Sequence, residues 1–145
     1  MGTTSFHQMK ILLVHNKEKD IELFRSTVHK IDSSTEFEYA KIYKDALCKI
    51  TDPAVRLDVI FLNYDFLKTS VIEILDSLRS TQNSNAVTVL LLSSITAVEL
   101  DVIASFGVRF FFDRKLFFNQ LPRSLRVIIN SQAIIKLKGT SDYQS

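Results

Sequence analysis

The chain of 145 residues has one cysteine, three glycines, two prolines and no tryptophan. Cys48 alone cannot close an intrachain disulfide, and without a second thiol a cysteine-based metal site is excluded. Three glycines cannot supply a phosphate-cradling loop, and so little glycine and proline leaves no composition shift to mark a linker. No apolar run approaches the roughly 20 residues that span a bilayer. The first eight residues are polar, not a basic stretch leading into an apolar signal core. Charge of one sign is lacking as well: 18 Lys and Arg against 16 Asp and Glu give a formal net charge of +2. The signs are interspersed, which gives no ground for nucleic-acid or membrane binding. A soluble, cytoplasmic protein of one domain is the expectation.

What is present is a regular alternation of apolar runs and helical stripes. Lys10–Val14, Leu57–Leu62 and Val87–Leu92 are continuous apolar runs, the pattern of strands buried on both faces. Phe37–Tyr43 alternates like a half-buried or edge strand, and Val108–Phe112 reads as a fifth. Between them, Ile21, Phe24, Val28 and Ile31 form a helix stripe, Ala46, Leu47 and Ile50 a shorter one. Ser70 with Glu73, and Thr96 with Glu99, have capping-box spacing. In the second of these helices Val98, Val102, Ile103 and Phe106 form the stripe, and Gly107 stands where a C-terminal glycine belongs. A last helix is expected from a cap at Asn119, with Pro122 in its first turn and Leu121, Leu125 and Ile128 inward. Five strands, each followed by a helix, predict a doubly wound α/β protein with a five-stranded parallel sheet. Residues 1–8 are expected to be a disordered tail, 9–132 the domain, and 133–145 an extension unstructured toward its end, from Gly139 on.

In such sheets chemistry lies beyond the carboxyl ends of the strands. The residues there are His15 and Asn16, Asn63 to Asp65, Ser93 and Ser94, and Asp113 to Lys115. At those ends the chain resembles the receiver domains of response regulators, the CheY-like family. KILLVHN (10–16) matches the first strand, with His15 and Asn16 where the family has two acidic residues. DVIFLNYDF (58–66) matches the third, with Asn63 in the place of the phosphoacceptor aspartate. VLLLSS (89–94) puts Ser93 at the hydroxyl position. GVRFFFDRKLF (107–117) puts Phe111 at the switch aromatic, Arg114 at the lysine and Lys115 at the proline; YKDAL (43–47) is similar to the second loop and helix. The resemblance covers about 9–132 and implies a flavodoxin-like sheet of order 2-1-3-4-5. It also implies a signalling role in which a protein partner, or a second copy of the chain, binds the face made by the fourth helix, fifth strand and fifth helix.

The family's chemistry is missing. An acyl phosphate needs a carboxylate nucleophile, and the Asn63 amide is a poor one. Mg²⁺ prefers carboxylate and water oxygens, whereas three carboxylates are replaced here by His15, Asn16 and Asn63. The expectation is a pseudo-receiver: not an enzyme, without a cofactor or metal, acting as a phosphorylation-independent protein-interaction module. Asp65 is the one candidate for a relocated acceptor, against a loop carboxylate that pairs with Arg114 or Lys115. Arg114 or Lys115 with Ser93 could instead bind a small anion or metabolite, against neutralisation by Asp65 or Asp113. His15 could be a base or ligand, or a hydrogen-bonded structural residue. Six of the eleven phenylalanines lie between residues 106 and 118. Of these, Phe106, Phe117 and Phe118 are the candidates for an exposed partner face, with core packing as the alternative.

Overall fold

The computed structural model describes residues 8–142, with side chains described to residue 131. The elements in chain order are β1 (Lys10–Val14), α1 (Glu18–Ile31), β2 (Glu36–Ala40), α2 (Tyr43–Thr51), β3 (Val59–Asn63), α3 (Tyr64–Leu67), α4 (Ser70–Arg79), β4 (Val87–Leu92), α5 (Ala97–Ser105), β5 (Phe110–Asp113), α6 (Arg114–Asn119) and α7 (Leu121–Asp142). Every strand pairing is parallel, and the sheet order is β2-β1-β3-β4-β5.

The continuous apolar runs become strands because their alternate residues enter two cores. Leu12, Val14, Ile60, Leu62 and Leu90 face α2, α4 and α5. Ile11, Leu13, Val59, Phe61, Val89 and Leu91 face α1, α6 and α7. Both layers bury helix stripes, Ile74 and Leu78 on one side and Phe24 and Leu125 on the other. With about 25 cal/mol for each Å² of apolar surface removed from water, this double burial holds the sheet central.

Several local expectations are corrected. The chain between the third strand and its main helix is not a plain loop: Asn63 caps the single turn α3, its side-chain oxygen accepting from the Asp65 N–H at 3.0 Å. A second short helix, α6, follows β5 in the same way, capped by Asp113, which accepts from the Leu116 N–H at 3.0 Å. Asn119 therefore ends α6 and does not cap α7. Ser70 is the first residue of α4 and the cap position is Thr69, with no side-chain bond; Glu73 instead accepts from the Tyr43 hydroxyl at 2.7 Å. Thr96 does cap α5, accepting from the Glu99 N–H at 3.2 Å. Gly107 has φ +86°, the left-handed conformation that ends the helix. β2 ends at Ala40, short of Tyr43, because Tyr43 opens α2.

In α5 the expected stripe is half wrong. Ile103 is buried and Phe106 half-buried, but Val98 is 74% exposed and Val102 40% exposed. The helix is apolar on more than one side, so spacing alone does not choose its inward face. The first seven residues of the expected tail lie outside the described residues. α7 continues through 133–142, where a glycine at position 139 costs a helix only about 1 kcal/mol.

Candidate functional site

The ends of β1, β3 and β5 line one shallow cavity of about 180 Å³, with His15, Asn16, Lys17, Asn63, Asp65, Phe66 and Arg114 around it, and Ser93 beyond β4 joins them through Asp65. The parallel register brings them there. Leu13 of β1 lies beside Phe61 of β3, and Asn63 beside Leu91 of β4, so His15, Asn63 and Ser93 emerge at one edge of the sheet.

His15 follows β1, its N–H donating to the Ala40 carbonyl at 3.0 Å, and its ring is buried with 1% exposure. The Asn63 amide nitrogen lies 2.6 Å from His15 Nδ1, and His15 Nε2 lies 2.8 Å from the Asp20 carboxylate. Asn63 Oδ1 is already an acceptor for Asp65 N–H, so its Nδ2 must donate to His15 Nδ1. The ring then carries its proton on Nε2 and donates it to Asp20. Burial lowers the pKa of His15 below the ordinary 6.5, only partly opposed by the Asp20 carboxylate, while the charges of Arg114 and Lys17 lower it further. His15 is thus a hydrogen-bonded neutral imidazole with both nitrogens in use.

Asp65 stands on α3, not in a loop, and its carboxylate ties three elements together. Oδ1 accepts from the Ser93 N–H at 2.8 Å, and Oδ2 from the Ser93 hydroxyl at 2.7 Å and from Arg114 Nε at 2.5 Å. Arg114 Nη2 also lies 3.4 Å from the Ser93 hydroxyl. Burial alone would push the Asp65 carboxyl up. The bonds from Arg114 and Ser93, with the guanidinium charge, outweigh it and hold the group below 3.8. Asp65 is therefore ionised at neutral pH, and Arg114 is not a free cation.

The remaining candidates are spread out. Asn16, Ser94, Asp113 and Lys115 are exposed, and only Asn16 of these lines the cavity. Phe111, at the switch position, is 38% exposed. The three phenylalanines expected on a partner face are mostly covered. Phe117 is 1% exposed, its ring 5.8 Å from that of Phe61 and 5.2 Å from that of Phe112. Phe118 is half-buried, its ring 6.1 Å from Phe24 and 5.7 Å from His15. Phe106 is half-buried under the Arg79 guanidinium, 4.2 Å above its ring. The short helix α6 accounts for this, since it folds Phe117 back over the sheet.

Asp20 is the residue sequence reasoning missed. Its signal was an acidic side chain in the first turn of the helix after β1, five positions beyond the histidine. Among the described residues no three His, Cys, Asp or Glu side chains converge on a place for a metal ion. Nor, among them, is any helix long and apolar enough to cross a membrane.

No protein-family model and no curated protein matches the chain. Solved structures do. A signal receiver domain of a DNA-binding response regulator from Colwellia psychrerythraea is 16% identical, with TM-score 0.66, over 85% of this chain and 99% of that one. A two-component response regulator from Legionella pneumophila is 21% identical, TM-score 0.67, over 85% and 99%. The phosphorylated cyanobacterial phytochrome response regulator is 20% identical, TM-score 0.70, over 84% and 91%. The chain has the CheY-like receiver fold, with sheet order 2-1-3-4-5 as the resemblance implied.

Proposed function

We propose that this chain is a cytoplasmic receiver-fold module of two-component or phosphorelay-type signalling that binds a protein partner without being phosphorylated and without catalysing a reaction. One observation carries the reading. The side chain at the acceptor position, Asn63, is a neutral amide with both polar atoms committed, to Asp65 N–H and to His15. An amide nitrogen has its lone pair delocalised into the carbonyl and does not form an acyl phosphate at a useful rate.

The donor set also fits Mg²⁺ poorly. Mg²⁺ demands oxygen ligands in near-octahedral geometry. At this cavity the imidazole has both nitrogens occupied, Asn63 offers one neutral oxygen that already accepts from the Asp65 N–H, and both oxygens of Asp65 accept from Ser93 and Arg114. Partner binding then falls to the surface of α5, β5 and α7, where Val98, Val102, Phe111 and Val127 are exposed.

A second reading has one observation in its favour: Asp65 is ionised and lines the cavity beside a hydroxyl and a guanidinium. Phosphorylation there would have to break its bonds to Ser93 and Arg114 first. Intact-mass measurement after incubation with acetyl phosphate and Mg²⁺ separates the two. The expected result is an unchanged mass; a gain of one phosphoryl group that disappears in Asp65→Ala would overturn the proposal.

A further inference from the structure

The helix α1 carries a second row of side chains beside its buried stripe. Ile21, Phe24 and Val28 enter the core, while Leu23, Thr27 and Ile31, each four residues on from the last, lie one step round the helix. That row does not close against α7. The short helix α6 leads Phe118 and Asn119 into the space between the two, and a cavity of about 330 Å³ is left there. Leu23, Ile31, Phe118 and Leu121 give it an apolar lining, and the exposed cations Lys30 and Arg126 flank them.

The lining has an apolar demand and a charge demand, both unmet within the described residues. Leu23 is 48% exposed, a large apolar side chain left in water at the cavity. Thr27, the buried polar residue of the lining, already donates its hydroxyl proton to the Leu23 carbonyl at 2.7 Å. No Asp or Glu lines the cavity, and among the described residues neither Lys30 nor Arg126 is in an ion pair. The acids nearest in sequence are engaged elsewhere, Glu22 with Arg25 and Asp32 with the Ser34 N–H and hydroxyl. Pockets for small molecules begin at about 300 Å³ and are mostly apolar with a few placed polar groups. At about 30 Å³ for an atom the size of a water oxygen, this one holds roughly ten non-hydrogen atoms. The Phe118 ring lies 5.7 Å from that of His15, so the cavity backs onto the strand-end network, with which it shares no lining residue.

We infer that the cavity between α1, α6 and α7 binds a small dissolved monocarboxylate with an unbranched apolar body of about eight carbons. The body displaces water from Leu23, Ile31, Phe118 and Leu121, and the carboxylate accepts charge-assisted bonds from Lys30 and Arg126. A bare anion would meet only two exposed cations, which is worth little in water. A neutral chain would leave both cations unused. The site goes beyond the interaction reading above and stands whether or not the chain is phosphorylated.

Sodium octanoate, which has the required size, is the probe. Titration of the isotope-labelled full chain, followed by amide chemical shifts, is expected to saturate below roughly 10 mM. The shifts should be confined to the second half of α1, to α6 and to the start of α7. Butyrate keeps the charge and loses the body, 1-octanol keeps the body and loses the charge, and each is expected to bind roughly tenfold more weakly or worse. The double variant Lys30→Glu, Arg126→Glu is expected to weaken octanoate by about the same factor. Its amide shifts away from the cavity should match the wild type, which shows that it folds. Absence of saturation overturns the inference, as do shifts centred on the strand-end cavity. So does equal binding of butyrate or 1-octanol, or a double variant that binds octanoate as the wild type does. Phosphatidylglycerol vesicles are expected not to carry the chain down on sedimentation; if they do, a membrane surface is the occupant and the dissolved acid is not.

Discussion

At the scale of single residues, the position that decides this molecule is His15. An imidazole with 1% exposure holds a neutral form because its two nitrogens face different partners, a donor at Asn63 and an acceptor at Asp20. Adding a proton would set two N–H groups against each other, or would turn the Asn63 amide and take Oδ1 away from the Asp65 N–H. Burial and this geometry act in the same direction. The consequence for stability has a definite sign. The unfolded chain takes up the proton near 6.5, while the folded chain resists it until lower pH, so the unfolded state binds more protons in that interval. Stability is full above about 6.5 and falls as pH drops through the lowered value of His15. Thermal midpoints at pH 7.5 and 5.5 should show the loss, and His15→Gln should flatten it. Asp65 does not confuse this window, because its carboxyl titrates below 3.8. A wild-type midpoint that does not fall across this range would remove His15 from the buried network.

Among the elements, α6 carries the clearest energetic contrast. Phe117 and Leu116 are neighbours on one short helix, yet one is 1% exposed and the other 62%. Truncating a buried phenylalanine leaves a cavity and costs about 3–5 kcal/mol, whereas an exposed leucine costs within about 0.5 kcal/mol. Urea unfolding of Phe117→Ala and Leu116→Ala should show that gap; equal losses would mean that α6 is not seated on the sheet. This helix also marks the limit of what the sequence discloses. The buried strands were legible because a run such as VIFL has no polar residue to spare for solvent. The strand ends were legible because each run stops at a polar residue, and those residues do meet at one edge. The single turns α3 and α6 were not, since each is started by one side chain, Asn63 or Asp113, bonding its own backbone two or three residues on. Such caps compete with ordinary turns and leave no periodic trace. Val98 and Val102 were misplaced for a related reason, since a helix apolar on several sides gives spacing nothing to choose between. The contact of His15 with Asn63 joins residues 48 apart and depends on strand order, which local pattern does not contain.

For the molecule as a whole, six polar residues at the carboxyl edge of the sheet form one chain of bonds, side chain to side chain except where the Asp65 backbone N–H donates to Asn63. It runs from Asp20 through His15, Asn63 and Asp65 to Ser93 and Arg114, and so links the ends of β1, β3, β4 and β5. A receiver that responds to a ligand needs two states for which the ligand has different affinities, since a ligand shifts an equilibrium only by that difference. Here the side chains of His15, Asn63 and Asp65 are already bonded, and a cation would reach them only by competing with those bonds, while Asn16, which also lines the cavity, offers only a neutral amide. Linkage puts a number on the test. An ion present at ten times its dissociation constant stabilises a fold by about 1.4 kcal/mol, which for a domain of this size raises the thermal midpoint by about 3 °C or more. In 10 mM Mg²⁺ the midpoint should therefore stay within about 1 °C of its value in EDTA at matched ionic strength. A rise of several degrees that Asp65→Ala abolishes would mean that this chain of bonds opens to admit the ion, and that the edge of the sheet has two states after all.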